Sequence, residues 1–324
     1  MIATGEVMPA FRHAQRSIRD PEEFSDVVSG ASLVADFLDH NTAPTYIEQF
    51  QSPGWALDFH EAHVKARVQC PLPPGWASLG LMRSATASTF HGFAVETGML
   101  VCDPPGQAID GCIEPGFTSM GVNVPLDVWE RCRALAGVER PSFGSSVAFR
   151  LPPTIYARIE RQLRTIRHQL RAAATQPHLA AYAAHEAADF ATHVVTTAWE
   201  LSATNSSPRD SFRNRVRLAR RAEEWMRDHL SERMRIPDVC LAMRVSRREL
   251  EYAFRSTFDQ SPLDHLHALR LNAIRRALRR AHAHGGQDTV IRLALDHGIT
   301  HLSRFAAQYH ALFGEKPSIT LRRS

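Results

Sequence analysis

The sequence predicts an α+β chain, β-rich in its first half and wholly helical toward its C-terminus. Three observations predict it. Between about 45 and 125, short apolar or alternating runs ("TYIEQF", "HVKARVQC", "STFHGFAV", "GMLVCDP") are separated by Pro and Gly clusters ("QSPGW", "CPLPPGW", "DPPGQ", "EPGF"). Residues 154–174 place apolar side chains at alternating steps of 3 and 4. Beyond residue 213 come short helical patterns with capping signals in helix, turn, helix order.

Each region follows from its own pattern. Residues 1–43 are polar and poorly patterned. Runs with turn signals every 8–12 residues, as in 45–125, read as strands of a barrel or sandwich. In "TIYARIERQLRTIRHQLRAAA", Tyr156, Ile159, Leu163, Ile166 and Leu170 form a heptad seam, with Arg158, Arg161, Arg164, Arg167 and Arg171 on the other faces. Such a seam needs a cover: either the Ala-rich helix that follows Pro177 and runs to about Leu201, or the same seam of a second chain. "SATNSSPRDS" (202–211) is polar and turn-rich and marks a domain linker. The expected organisation is therefore a β-rich domain over 1–150, a helical element over 151–202, a linker over 203–211 and a helical domain over 212–324.

Composition narrows the function. With 324 residues and 44% hydrophobic content, the chain can bury two ordinary cores. It has no apolar run of 18 residues and no charged-then-apolar leader, so neither a membrane span nor a secretory signal is expected. Five cysteines without a CxxC pair suit reduced thiols and a cytoplasmic location. The net charge of +4 hides an asymmetry: 209–324 carries 23 Lys and Arg against 13 Asp and Glu, net +10, while 1–208 is net −6. A basic third on an acidic body points to a polyanionic partner, though composition alone also fits RNA or a membrane surface.

In "RIPDVCLAMRVSRRELEYAFRSTF", Pro237 suits a first helical position, Ser246 an N-cap, and Glu249 completes a capping box. Leu250 and Phe254 share one face, leaving Arg247, Arg248, Glu251, Tyr252 and Arg255 pointing elsewhere. A helix from Ser261 follows, "SPLDHLHALRLNAIRRALRRA", and "DTVIRLALDHGITHLSRFAAQYHALFGEKPS" then repeats the layout with Gly298 in the turn. A connector of about 20 residues is about 30 Å long, close to the ~34 Å between successive major-groove faces of B-DNA.

These residues carry a resemblance. Residues 213–324 look like the DNA-binding domain of the AraC/XylS transcription regulators: Ser-x-x-x-Leu-x-x-x-Phe, Ser-Pro opening a helix with Leu266 and Arg270, then Ala294, Gly298 and Phe305, then Phe-Gly-x-x-Pro-Ser. Three positions depart from the pattern: Arg244 and the "DQSP" stretch stand where glycines are usual, and Ile299 where phenylalanine is. The resemblance implies double-stranded DNA as partner, with base-facing slots at Arg248, Glu251 and Tyr252, flanked by Arg247 and Arg255, and with Ser246 at the helix start also in the DNA-binding set. The second helix offers His301, Leu302, Ser303, Arg304, Ala306 and Ala307, a set poorer in donors, suited mostly to phosphate contacts. It also implies a cupin-like barrel at the N-terminus that binds a small-molecule effector, then dimerising helices, and RNA polymerase as a further partner. A homodimer through the 156–170 seam is favoured, because extended operators are usually read by two-fold pairs.

The N-terminal part names no ligand. Trp55, Trp76, Phe90, Phe93 and Phe117 are the candidates to line an effector pocket, although such aromatics more often fill cores. His60 and His63 are the nearest approach to metal ligands, but their spacing does not make a cupin metal set, so neither metal nor cofactor is expected. Cys102 and Cys112 read as buried thiols sooner than as a redox pair across neighbouring strands. No catalytic triad, phosphate loop or carboxylate pair is evident, so no enzyme is expected. A metal-holding cupin enzyme fused to the DNA-binding module, and a ligand-free constitutive regulator, are the competing readings.

Overall fold

The structure, a computed structural model, describes residues 11–26, 33–40, 43–85, 87–139, 145–202, 210–283 and 289–322. Of the expected linker, 203–209 lies outside the described residues. The N-terminal part is sheet-rich: β1 (Arg12–Ile18), β2 (Val34–Phe37), β3 (Thr45–Ser52), β4 (Trp55–Glu61), β5 (Ala66–Pro71), β6 (Trp76–Ser84), β7 (Thr89–Phe90), β8 (Phe93–Ala94), β9 (Met99–Asp103), β10 (Ala108–Ile113), β11 (Thr118–Pro125) and, after helix α1 (Leu126–Leu135), β12 (Val147–Arg150). They divide into a seven-stranded sheet, β1-β3-β4-β11-β6-β9-β12, and a five-stranded sheet, β2-β5-β10-β7-β8, with antiparallel pairing throughout.

Side-chain alternation decides what each sheet faces. In the seven-stranded sheet, Leu57 and Phe59, Ala77, Leu79 and Leu81, Leu100 and Cys102, and Met120, Val122 and Val124 form one face. It is sealed by α1, α2 (Pro153–Thr175) and α3 (Ala180–Ser202). The intervening residues Asp58, His60, Ser78, Gly80, Met82, Val101, Asp103, Ser119, Gly121 and Asn123 face the five-stranded sheet across a cavity.

This packing corrects the expectation that the 156–170 seam faces a second chain. Ile159, Leu163, Ile166 and Leu170 are buried within one chain, against α3 and the seven-stranded sheet; Tyr156 is half-buried on the rim of the same cluster. The chain's own helix covers the seam, because α3 carries small residues, Ala183, Ala187 and Ala191, that let the two helices approach closely.

The C-terminal part is all helical: α4 (Asp210–Asp228), α5 (Ile236–Met243), α6 (Arg247–Phe258), α7 (Pro262–Ala283), α8 (Val290–Asp296), α9 (Leu302–Phe313) and α10 (Pro317–Thr320). These helices dock on the outer face of the five-stranded sheet through buried charge. Arg67 on β5 contacts Glu223 of α4 at 2.9 Å and Asp110 of β10 at 2.5 Å. Asp36 on β2 is held by Arg227 at 2.7 Å and Arg276 at 2.6 Å. Arg275 joins Asp20, Glu22 and Glu315. Asn272 of α7 caps the open edge of β2: its Oδ1 accepts from the Phe37 N–H at 3.0 Å and its Nδ2 donates to the Phe37 carbonyl at 2.9 Å.

Candidate nucleic-acid interface and enclosed cavity

Two helix-turn-helix units flank α7. In the first, the Glu249 N–H donates to Ser246 Oγ at 3.2 Å and the Ser246 N–H to Glu249 Oε2 at 2.8 Å, so the capping box forms and fixes where α6 begins. Leu250, Ala253, Phe254 and Phe258 turn inward onto α4 and α5. That inward face leaves Ser246, Arg247, Arg248, Tyr252 and Arg255 exposed and Glu251 half-exposed on one surface. The Arg215 guanidinium lies 5.0 Å from the centre of the Tyr252 ring, which steadies that ring. In the second unit Phe305, Tyr309 and Leu312 are buried, while His301, Ser303, Arg304, Ala306 and Ala307 are exposed and Leu302 half-buried.

Two turn residues hold left-handed backbone where glycine is usual in this pattern: Arg244 at φ 56° and Asp259 at φ 51°. Gly298, at φ 73°, keeps its glycine for a second reason: a Cβ there would stand 2.6 Å from the Glu232 carbonyl oxygen. That is where the two units meet, and Arg270 of α7 ties them by donating to the Glu232 carbonyl at 3.0 Å. With 22 residues, α7 is about 33 Å long.

The cavity between the sheets has a volume of about 120 Å³. Its floor, on the seven-stranded sheet, is polar. Asp58 is gripped by Gln49 Nε2 at 2.7 Å and Asn123 Nδ2 at 2.5 Å. His60 Nδ1 lies 3.2 Å from Ser119 Oγ, and His91 Nε2 lies 2.5 Å from Asp103 Oδ1. Burial raises the Asp58 carboxyl above its ordinary value and lowers the His60 imidazole below its own. The opposite wall is apolar, with Val68, Phe90, Ile113 and Phe117.

Of the five aromatics expected around a pocket, Phe90 and Phe117 line it, with ring centres 5.5 Å apart. Trp55 shares the parity of Leu57 and packs on the helix side. Trp76 opens its strand half-buried, and Phe93 is buried opposite Phe90 in the β7–β8 pair. His60 reaches the cavity, whereas His63 lies outside it, 3.2 Å from Glu61. Cys102 and Cys112 sit on different sheets and do not meet; burial pushes the Cys112 thiol up to about 12. The polar floor has a trace in the sequence, since "WALDFHE" alternates apolar and polar residues, but nothing in that stretch shows that a second sheet covers the polar ones.

Comparison with known proteins bears on the C-terminal half of this geometry. Residues 239–323 match the model of a helix-turn-helix domain. The chain is 29% identical over 130 residues to the XylDLEGF operon transcriptional activator 3 of Pseudomonas putida, spanning 40% of this chain and 38% of that protein. It is also 29% identical over 105 residues to a probable thc operon regulatory protein of Rhodococcus erythropolis, 32% of this chain and 31% of that one. The chain thus spans about a third of the length of the curated relatives it matches. Among solved structures, the AraC-like transcriptional activator CuxR aligns over 88% of this chain and 99% of its own at 13% identity and a TM-score of 0.39. A probable AraC family regulator from Rhodopseudomonas palustris aligns over 33% and 96% at 29% identity and a TM-score of 0.31. Residues 239–323 thus carry a helix-turn-helix domain, in a chain similar over part of its length to curated operon activators.

Proposed function

We propose that this chain is a DNA-binding transcription regulator whose N-terminal domain, 1–150, holds a small-molecule effector between its two sheets in a cupin-like arrangement. Its helices at 212–324 read double-stranded DNA. The observation that carries the reading is the exposed surface of α6, where Arg247, Arg248, Glu251, Tyr252 and Arg255 converge on the second helix of a capped helix-turn-helix. Arg248 suits a guanine edge and Glu251 a cytosine amino group. At the start of α9 the strong donors are Arg304 and the N-cap His301, which suits the second unit mainly to phosphates. Any pairing of two chains uses a surface other than the 156–170 seam, which the chain's own core occupies.

Selection from a random duplex pool tests this. The full chain is expected to enrich a defined sequence and to bind it with an affinity that falls linearly on a log–log plot against salt. Retention of all duplexes alike, or no retention, would sink the proposal.

A further inference from the structure

Five carboxylates are buried among the described residues: Asp36, Glu48, Asp58, Asp103 and Glu223. Three are neutralised by arginine pairs: Asp36 by Arg227 and Arg276, Glu48 by Arg167 and Arg171, Glu223 by Arg67 and Arg227. Asp58 and Asp103, which lie on the cavity floor, have no arginine or lysine in ion-pair contact among the described residues. Asp58 is held by two neutral amides with the His60 imidazole nearby, and Asp103 faces His91. Among the described residues, no arginine or lysine lines the cavity. A buried carboxylate left without a cation is costly, and this chain elsewhere supplies one each time.

The floor beside Asp58 is also bare. In register across the sheet, Asp58 pairs with Gly121, Gly121 with Gly80, and Gly80 with Val101. Two successive cavity-facing positions therefore carry no side chain of their own; the Met82 methyl stands over Gly80, and the space over Gly121 stays open. A Cβ built on Gly121 would stand 3.5 Å from Asp58 Oδ2, so the open space there lies within contact of that oxygen. Glycine within a strand marks a place where another group approaches the backbone closely. With two amide donors already bound, the Asp58 carboxylate keeps lone pairs for further donors.

We infer that the cavity takes a small organic cation, an amine with a compact apolar body, whose ammonium pairs with Asp58 above Gly121 and whose body lies against Phe90 and Phe117. This rests on the reading of the cavity as an effector site, and narrows it to one charge class. A ligand of benzene size is the upper bound, since benzene occupies an engineered cavity of about 150 Å³. An anionic effector would meet two buried carboxyl groups and, among the described residues, no arginine or lysine to pair with.

The full chain is titrated with butylamine, butan-1-ol and butyrate, with binding followed by ligand-observed NMR. Butylamine is expected to bind, butan-1-ol about tenfold more weakly or worse, and butyrate not at all. Asp58→Asn should remove the preference for the amine, by about tenfold, while leaving the alcohol unchanged. Gly121→Ala meets only ordinary contacts at 3.5–3.6 Å, so it should fold, and should weaken amine and alcohol together. Should Asp58→Asn fail to fold, the charge series on the unaltered chain and on Gly121→Ala carries the test. Equal or tighter binding of butyrate or butan-1-ol overturns the cation assignment. If Gly121→Ala weakens that binding, the cavity still stands as a ligand site. No binding by any of the three overturns both.

Discussion

Arg244 shows how a single residue carries strain that its neighbours tolerate. It holds the turn between α5 and α6 at φ 56° and ψ 45°, a region costing a side-chain-bearing residue roughly 1–2 kcal/mol. Arg244→Gly is expected to stabilise the chain by up to about 1 kcal/mol, after glycine's larger unfolded-state entropy is deducted. Urea unfolding measures it, and a loss of stability would show that the Arg244 side chain makes a contact worth more than the strain. Gly92 is the opposite case. At φ 75° in the β7–β8 turn, it lies so close to α4 that a Cβ would stand 2.0 Å from Val216 Cγ2. Gly92→Ala should lower the melting temperature markedly, and Val216→Ala in the same chain should recover part of the loss. Strict additivity of the two would mean that the hairpin and α4 do not touch. His91, beside Gly92, reaches Asp103 on the cavity floor, so one turn contacts both the cavity and α4.

At the scale of elements, the α2 seam separates what periodicity can reveal from what it cannot. Steps of 3 and 4 fix the helix and its apolar face, and α2 spans Pro153–Thr175 as the pattern requires. They do not say what lies opposite, because an apolar stripe packs equally well on its own chain or on another. Leu163 is 1% exposed within the chain, so Leu163→Ala should cost about 2–5 kcal/mol of folding stability, read by chemical denaturation. A soluble, equally stable monomer derived from a wild-type dimer would instead return the seam to an interface. The helix-turn-helix units were legible to the residue, since caps such as Ser246–Glu249 and turns such as Gly298 are local chemistry. The cavity floor was not. Alternation in "WALDFHE" reveals a two-faced strand, but the partner sheet that buries Asp58 and His60 comes from residues such as Val68 and Ile113, and only tertiary pairing joins them.

Over the whole molecule, the charge asymmetry between the basic C-terminal third and the acidic body has two uses. Arg220, Arg227, Arg275 and Arg276 of the basic part pair with Asp110, Asp36, Asp20 and Glu22 of the acidic one, so part of the +10 is consumed in docking. Arg67 is central to that junction, and Arg67→Ala leaves Glu223 with less of its compensation; the expected cost is about 3–5 kcal/mol. Acid should act on the same network. Burial alone would raise Glu223 and Asp36, but Arg67 beside the first and Arg227 and Arg276 beside the second hold both below the ordinary carboxylate range. Burial likewise opposes Glu48, which hydrogen bonds from Arg171, Gln15 and Arg167 bring down to about 2. Carboxylates depressed in the folded state contribute stability above their ordinary values and lose it as pH falls through the folded ones. Stability should therefore decline from about pH 4.5 toward pH 2. Unfolding free energies measured across that window check it, and stability that holds or rises there would contradict the ion-pair account.

The central claim is that α6 reads base edges, and Arg248 decides it. Fluorescence anisotropy of the full chain and of Arg248→Ala is measured on a selected duplex and on a scrambled one of equal length. The account predicts a loss of about 1–3 kcal/mol for Arg248→Ala on the selected duplex, with little change on the scrambled one and a relaxed preference at one base pair. An equal loss on both duplexes would make Arg248 a phosphate contact, and no loss on either would remove α6 from the DNA interface.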